Sequence, residues 1–385
     1  MTRRFCYLLL VAACSQEQAD AYTVDTLPNG AVAVTNHAPS GWADTNGIRL
    51  LLERTIAPAA GSPGEIGSPD GVAMDQAGRI YVIQRRPHAI KVFDANGEFL
   101  RSIGREGEGP GEFTVGYIGV SGDTIALQDP GTSRFTVFRA DGAVVQERPS
   151  VCCWATSYLD IDRHGVVAVP GSGGDQGGIM LRFRLDGTLL DTIALPLAPE
   201  VDKWWRASWT ANGRSWNMRI PGPLQPALHS RYGGEGTLVY GVTDSAQLIV
   251  SRTGRDTVRI IRTTIPRQQI TAAQRDSIFA EHLAGMEWQE SWLAEGGRND
   301  VPAEWPPWTT FTIDRAGRIW LGIPGPGGRV STAQVFDDTG MLLGTVPIPR
   351  PDLLDGAWGD DRLAILDQDE DGYPLIRVYR VEQSL

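Results

Sequence analysis

Lysine is almost missing from this 385-residue chain: among 35 basic residues only Lys91 and Lys203 are lysines, and no basic cluster or stripe interrupts a net charge of −11. A surface of that sign repels phosphate backbones, which argues against nucleic-acid binding, and makes anionic headgroups poor partners. No stretch approaches 18 consecutive apolar residues, so no mature helix spans a membrane. Cysteine is scarce, with four in all at positions 6, 14, 152 and 153. The chain has no G-x-S-x-G elbow, phosphate-binding glycine loop or H-E-x-x-H pair, which removes the usual motif-borne hydrolase and nucleotide chemistries.

What is plentiful is turn punctuation. With 45 Gly and 25 Pro among 42% apolar residues, the composition suits one large all-β domain with many tight turns. Val72, Met74, Ile80 and Val82 flank the turn Asp75-Gln-Ala-Gly78, where the Asp side chain can bond backbone amides and Gly supplies a positive φ. A second hairpin follows, with Ile90, Val92 and Phe93 before Asp94-Ala-Asn-Gly97 and Phe99, Leu100 and Ile103 after it. Two linked hairpins make a four-stranded sheet.

The same punctuation recurs. Outer turns stand at Ala140-Asp-Gly142, Asp186-Gly187 and Asp337-Asp-Thr-Gly340, and inner turns at Asp162-Arg-His-Gly165 and Asp314-Arg-Ala-Gly317. Glycines 97, 142 and 187 are spaced by 142−97 = 45 and 187−142 = 45 residues. Four strands per period of this length predict a β-propeller. The rhythm then breaks at Thr253-Gly254, since 254−187 = 67 and 340−254 = 86. Blades are therefore expected near 64–104, 112–148, 155–197, 235–265, 308–348 and 354–383, with insertions at about 200–232 and 266–307. The last blade has about three strands, at 354–358, 363–367 and 375–381, and the orphan strand Ile48–Ile56 is expected to complete it and close the ring.

The segments GVAMDQAGRIYV, IKVFDANGEFLRSIG and EGPGEF resemble the NHL-repeat and TolB-like six-bladed propellers of bacteria, specifically over residues 64–113, moderately over 308–345 and weakly in the fourth and sixth blades. The resemblance implies an all-β, six-bladed propeller of four-stranded antiparallel blades, closed by an N-terminal strand, across residues 46–385. It transfers little function, because propellers of this kind include binding scaffolds, lyases, lactonases and receptor modules.

The N-terminus adds a location. Thr2-Arg-Arg4 is a basic lead, Phe5 to Ala13 is apolar, and Val11-Ala-Ala-Cys14 resembles a bacterial lipobox. That resemblance implies a signal peptide over 1–13, palmitate-type acylation of Cys14, a lipid-attached segment over 14–45 and, from Ser15, sorting to the outer membrane of a Gram-negative cell envelope. Several acyl chains, at about 0.8 kcal/mol per buried methylene, form an anchor that does not readily dissociate. Cleavage removes Arg3 and Arg4, taking the charge from 35−46 = −11 to 33−46 = −13. Attachment is expected to rest on the lipid alone.

Four further features bear on chemistry. Cys152 and Cys153, adjacent in an exported chain, could form a vicinal disulfide or remain as two thiols. Asp367, Asp369 and Asp371 sit at the alternating spacing that starts a calcium loop, but Leu375 and Val378 occupy the ninth and twelfth loop positions, where ligands are needed, so Ca²⁺ is matched only in part. The histidines at 37, 88, 164, 229 and 282 hold inequivalent repeat positions, which speaks against a shared metal cage. Acidic ligands at the channel, among Asp123, Asp160 and Asp162, would serve a metal-dependent hydrolase or lyase.

The insertions concentrate aromatics. Trp204, Trp205, Trp209 and Trp216 lie in the first, with Arg206, Arg214 and Arg219, and Trp288, Trp292, Trp305 and Trp308 in or beside the second. Residues 271–295 read as a helix opened by Thr271, with Ile278, Phe279, Leu283 and Met286 at helical spacing. Burial accounts for most large aromatics. A groove over the funnel would instead use Trp204, Trp205, Arg206, Trp209, Trp288 and Trp292 to hold a peptide, sugar or carboxylate. The expected function is a lipid-anchored envelope propeller that binds an envelope protein, peptide or glycan, needs no cofactor and catalyses nothing; the alternative is the metal-dependent enzyme.

Overall fold

A computed structural model describes residues 21–37, 48–149, 159–172, 178–211, 214–284, 293–295 and 297–383. Six four-stranded antiparallel blades form a ring. Blades 1 to 5 run from Pro69 to Ile103, Tyr117 to Pro149, Asp160 to Ala194, Leu228 to Arg262 and Thr310 to Pro347. Blade 6 takes its three inner strands from Ala357–Trp358, Arg362–Gln368 and Pro374–Gln383, and its outer strand from Ile48–Ile56. The N-terminal strand therefore closes the ring on the C-terminal one, with Ile48 opposite Gln383 and Ile56 opposite Ile376.

The alternation of each strand explains how blades stack. One face of a blade packs on the preceding sheet and the other on the next, so inner strands are apolar on both sides, as in Ile80-Tyr-Val-Ile83. Six apolar clusters fill the six blade junctions. The cluster between blades 6 and 1 joins Ile56, Ala364, Ile376 and Val378 to Met74, Val82 and Phe93. The Gly97 turn explains one of the 45-residue glycines: its φ is +90°, and a Cβ there would stand 2.7 Å from Cγ1 of Ile56.

The inner-turn signature is a locking device. In blade 1, buried Asp75 accepts from the Arg79 backbone N–H (2.9 Å), Arg79 Nε (2.6 Å) and the Tyr81 hydroxyl (3.0 Å). In blade 5, Asp314 accepts from Arg318 N–H (2.8 Å), Arg318 Nε (2.6 Å) and Trp320 Nε1 (2.9 Å). Each arginine then reaches the next blade, Arg79 donating to Asp123 (2.5 Å) and Arg318 to the Asp360 carbonyl (2.9 Å). In blade 3 the aromatic donor comes instead from the following blade, Tyr232 donating to Asp162 at 3.1 Å.

Three expectations change. Leu228–Gly233 is the innermost strand of blade 4, not part of an insertion reaching 232. Its turn, Gly233-Gly-Glu-Gly236, lacks the Asp-x-x-Gly-Arg signature, which hid it. The helix is shorter than 271–295: it covers Ala272–Ala284, opened by a Thr271–Gln274 capping box, and Leu293–Glu295 is a strand paired with residues 206–208. Finally, the N-terminal segment carries a hairpin, Tyr22–Thr26 with Val32–Asn36, whose second strand adds parallel to the outer edge of blade 4. Buried Asn36 pins it by donating to the Arg262 and Gly340 carbonyls (3.1 and 3.0 Å) and accepting from Leu342 N–H (2.8 Å).

The insertions build a cap. The hairpin of Trp204–Ala211 and Arg214–Pro221 pairs with Leu293–Glu295, and the helix packs against it. Inner strands all run from the cap face to the face of the inner turns, so both insertions, which join outer strands to the next inner strands, emerge on one face.

Candidate functional site: the mouth of the central channel

The innermost strands of all six blades surround the axis, and a side chain bridges the channel between them at one end. Arg315, in the blade 5 inner turn, reaches across to donate to the Met74 carbonyl of blade 1 (3.0 Å) and to the Val120 carbonyl of blade 2. Burial lowers the pKa of this guanidinium. A small chamber of about 140 Å³ sits above this floor, lined by Asp160, Arg163, Tyr232, Asp314 and Arg315 among others. It opens through Asp160 and Thr312, which line both spaces, into a wider mouth of about 470 Å³.

The mouth lies on the cap face, where the inner strands begin. Its polar lining is Asp70, Tyr117, Asp160, Arg231 and Asp355, with Ile83, Ile118, Leu159 and Leu354 as apolar wall. Asp70 is already matched by Arg85 at 2.6 Å. Asp160 accepts from the Tyr232 backbone N–H at 2.8 Å, tying blade 3 to blade 4. Burial pushes its carboxyl up to about 6 against the opposing pull of Arg231 and that hydrogen bond. At the rim, Asp355 is also raised, by partial burial first, with Arg231 acting against it. Within the mouth Arg231 acts on both Asp160 and Asp355, while Arg163 and Arg315 line the chamber below it. With Asp70 paired to Arg85, carboxylates outnumber guanidinium groups at the mouth itself, which favours a cation there.

The anticipated residues are distributed differently. Trp205 is buried, donates to Asp300 at 2.9 Å and meets Phe279 and His282 edge-on at 5.6 and 4.9 Å, so it holds the cap together. Trp204 is exposed and lies under Arg219 at 4.9 Å, and Arg206 is exposed on the same strand. Neither lines the mouth. Trp209 belongs to the cap hairpin, but its side chain lies outside the described residues, as do Trp288 and Trp292 altogether. Trp305 and Trp308 are buried in the cap core and the blade 4–5 junction.

Asp367 is flanked by Arg350 and Arg377, which hold its carboxyl below the usual range against burial. Asp369 accepts from the backbone of Asp371 (3.0 Å) and Tyr373 (2.8 Å), as a hairpin turn requires. These carboxylates are engaged in ion pairing and turn formation. Among the described residues no three His, Cys, Asp or Glu side chains form a group that could hold a metal. Of Asp123, Asp160 and Asp162, only Asp160 faces the channel; Asp123 pairs with Arg79 and Asp162 caps its own turn. Cys14, Cys152 and Cys153 lie outside the described residues.

Sequence reasoning missed Arg231 and Asp355. Arg231 sits in the strand assigned to an insertion, and Asp355 ends a short 3₁₀ turn, Pro351–Asp355, before blade 6. An inner strand can still be sought in a short apolar-polar run ahead of a glycine-rich turn, which Leu228-His-Ser-Arg-Tyr-Gly supplies.

A family model described as a 6-bladed beta-propeller, DUF5128, matches residues 63–152. No curated protein matches the sequence. Among solved structures, a member of the DUF4221 family from Bacteroides vulgatus is 11% identical, covering 88% of this chain and 100% of that one, with a TM-score of 0.50. A Bacteroides fragilis protein described as exported is 11% identical, covering 92% and 99%, with a TM-score of 0.49. At such identities the likeness concerns the fold, and the fold is that of a six-bladed β-propeller.

Proposed function

We propose that this protein is a lipid-anchored, bacterial cell-envelope propeller that binds a cationic group in the channel mouth and performs no chemistry of its own. The observation that carries the reading is the blind funnel: a floor closed by Arg315, an opening on one face, and two carboxylates facing one guanidinium within it. An ammonium or guanidinium group, on a small molecule or on a protein partner's side chain, fits that charge, and Tyr117 offers a ring beside it. The lipobox-like segment ending at Cys14 and the exported Bacteroides fragilis protein of similar fold support the envelope location. The rival, a hydrolase or lyase with a carboxylate-bound divalent cation, rests on Asp160 alone.

The test is calorimetric titration of the mature chain carrying Cys14→Ala with agmatine, which bears both cationic groups, against acetate as control. Saturable agmatine binding weakened about tenfold by Asp355→Asn, as expected for loss of one charge contact, supports the reading. No agmatine binding at millimolar concentration, or binding indifferent to Asp355→Asn, refutes it. Saturable divalent-ion binding lost in Asp160→Asn would favour the rival.

A further inference from the structure

The cap hairpin departs from the rest of the chain in charge. Between Lys203 and Pro221 lie Lys203, Arg206, Arg214 and Arg219 and no acidic residue, whereas the remainder holds 46 acidic residues against 35−4 = 31 basic ones. The same span contains four of the twelve tryptophans, Trp204, Trp205, Trp209 and Trp216. In sequence these cations are spread over 17 residues and do not read as a stripe. Antiparallel pairing folds them onto one arm, with Arg206 opposite Arg219 on one side and Glu295 on the other, and Trp209 opposite Trp216.

The arm is built to meet something flat. Its strand Arg214–Pro221 is the sheet edge, and Asn217, Met218 and Arg219 are all exposed in succession. Since successive side chains point to opposite faces, neither face of that strand is covered there. Met218 is 44% and Trp204 41% exposed, values high enough to leave apolar surface in water. Trp205 faces the other way and fixes the arm's base to the helix through Phe279, His282 and Asp300, while His282 also bonds the Pro221 carbonyl at 3.1 Å. A rigid base with a cationic, indole-bearing arm matches a bilayer interface, where Trp sits at headgroup level and each nearby Lys or Arg contributes about 1 kcal/mol on an anionic surface.

The described N-terminal segment starts beside the strand from which the second insertion departs. Tyr22 pairs with Asn36, and Thr35 lies beside Arg262, which in turn pairs with Gln247, while Asn36 also meets the outer turn of blade 5 at Gly340.

We propose that the hairpin Trp204–Pro221 is a second membrane contact, an interfacial arm that lies on anionic phospholipid headgroups and turns the channel mouth to the bilayer. It adds a second contact to an attachment expected to rest on the lipid alone. The net negative charge does not oppose it, because charges farther than about 8 Å are screened at physiological salt while those at the contact are not. The proposal extends the lipid-anchored reading, and it is tested on a chain without the anchor so that the two fail separately.

The mature chain with Cys14→Ala is sedimented with vesicles of phosphatidylethanolamine and phosphatidylglycerol, and with vesicles of phosphatidylcholine alone. Expected is salt-sensitive binding to the phosphatidylglycerol vesicles, reduced at least tenfold in Arg206→Gln/Arg214→Gln/Arg219→Gln and severalfold in Trp204→Ala, at unchanged melting temperature. Should the triple variant fail to fold, Arg214→Gln/Met218→Ser, at two exposed positions, replaces it. Equal binding to both vesicle types, no binding, or binding indifferent to these substitutions overturns the proposal, and leaves the arm as a surface for a protein or glycan. In cells, a Cys14→Ala chain that stays on the membrane with unchanged mass refutes the lipid anchor without touching the hairpin.

Discussion

Replacing Asp160 with Asn tests the electrostatics of the funnel directly. In the folded protein burial raises this carboxyl from 3.8 to about 6. A carboxyl whose folded pKa is raised binds its proton more tightly in the native state, so its favourable contribution is complete below the unfolded pKa and lost as pH rises through the folded value. The window is therefore about pH 4 to 6. A shift of roughly two units at about 1.4 kcal/mol each sets a ceiling near 3 kcal/mol. Water entering the mouth screens the charge, so we expect about 1–2 kcal/mol. Asn retains the acceptor for Tyr232 N–H and carries no charge. Asp160→Asn should thus stabilise the protein at pH 8, raising Tm by about 1–3 °C, and change little at pH 4. Paired calorimetric scans of wild type and variant read this difference, and the neighbouring Asp355, Asp70, Arg231 and Arg85 cancel to first order between them. A gain of equal size at both pH values, or destabilisation at pH 8, would show that Asp160 is not a buried charge under strain from desolvation.

Trp320→Phe keeps an aromatic ring but removes the Nε1 donor to buried Asp314 and part of the buried indole, and should cost about 2–4 kcal/mol in denaturant unfolding; no loss would mean the inner-turn lock is ornamental. Ile48→Ala, in the strand that closes blade 6 and 2% exposed, should cost about 2–5 kcal/mol and speed proteolysis at both chain ends together, whereas independent digestion of the two ends would contradict the shared blade. Calcium at millimolar concentration, or its removal by chelator, should leave Tm unmoved, because Asp367 is already neutralised by Arg350 and Arg377; a calcium-dependent rise in Tm would show a site the turn geometry does not reveal.

How much was legible depended on the range of the interaction. The hairpin turns at Asp75–Gly78 and Asp94–Gly97 are decided within four residues, by an Asp that caps amides and a Gly that takes positive φ, and the 45-residue spacing repeats that local rule. The innermost strand of blade 4 escaped because Gly233-Gly-Glu-Gly236 turns the chain without an Asp, its place in the buried network being taken by Asp162 from the preceding blade through Tyr232. The helix does not extend to 295 because the adjoining hairpin offered Leu293–Glu295 a free strand edge, which no local pattern announces.

The sequence by itself determined the β-propeller, its six units and the closing role of Ile48–Ile56, since period, turn chemistry and strand alternation are properties of neighbouring residues. Only the tertiary structure decided which side chains share a space. Asp160, Arg231 and Asp355 come from three blades and meet because the ring brings inner strands to one axis. Arg315 becomes a floor only when blades 1 and 2 stand across from it. The four cations between Lys203 and Pro221 become one arm only when antiparallel pairing folds them together and the ring sets that arm on the face where the channel mouth opens.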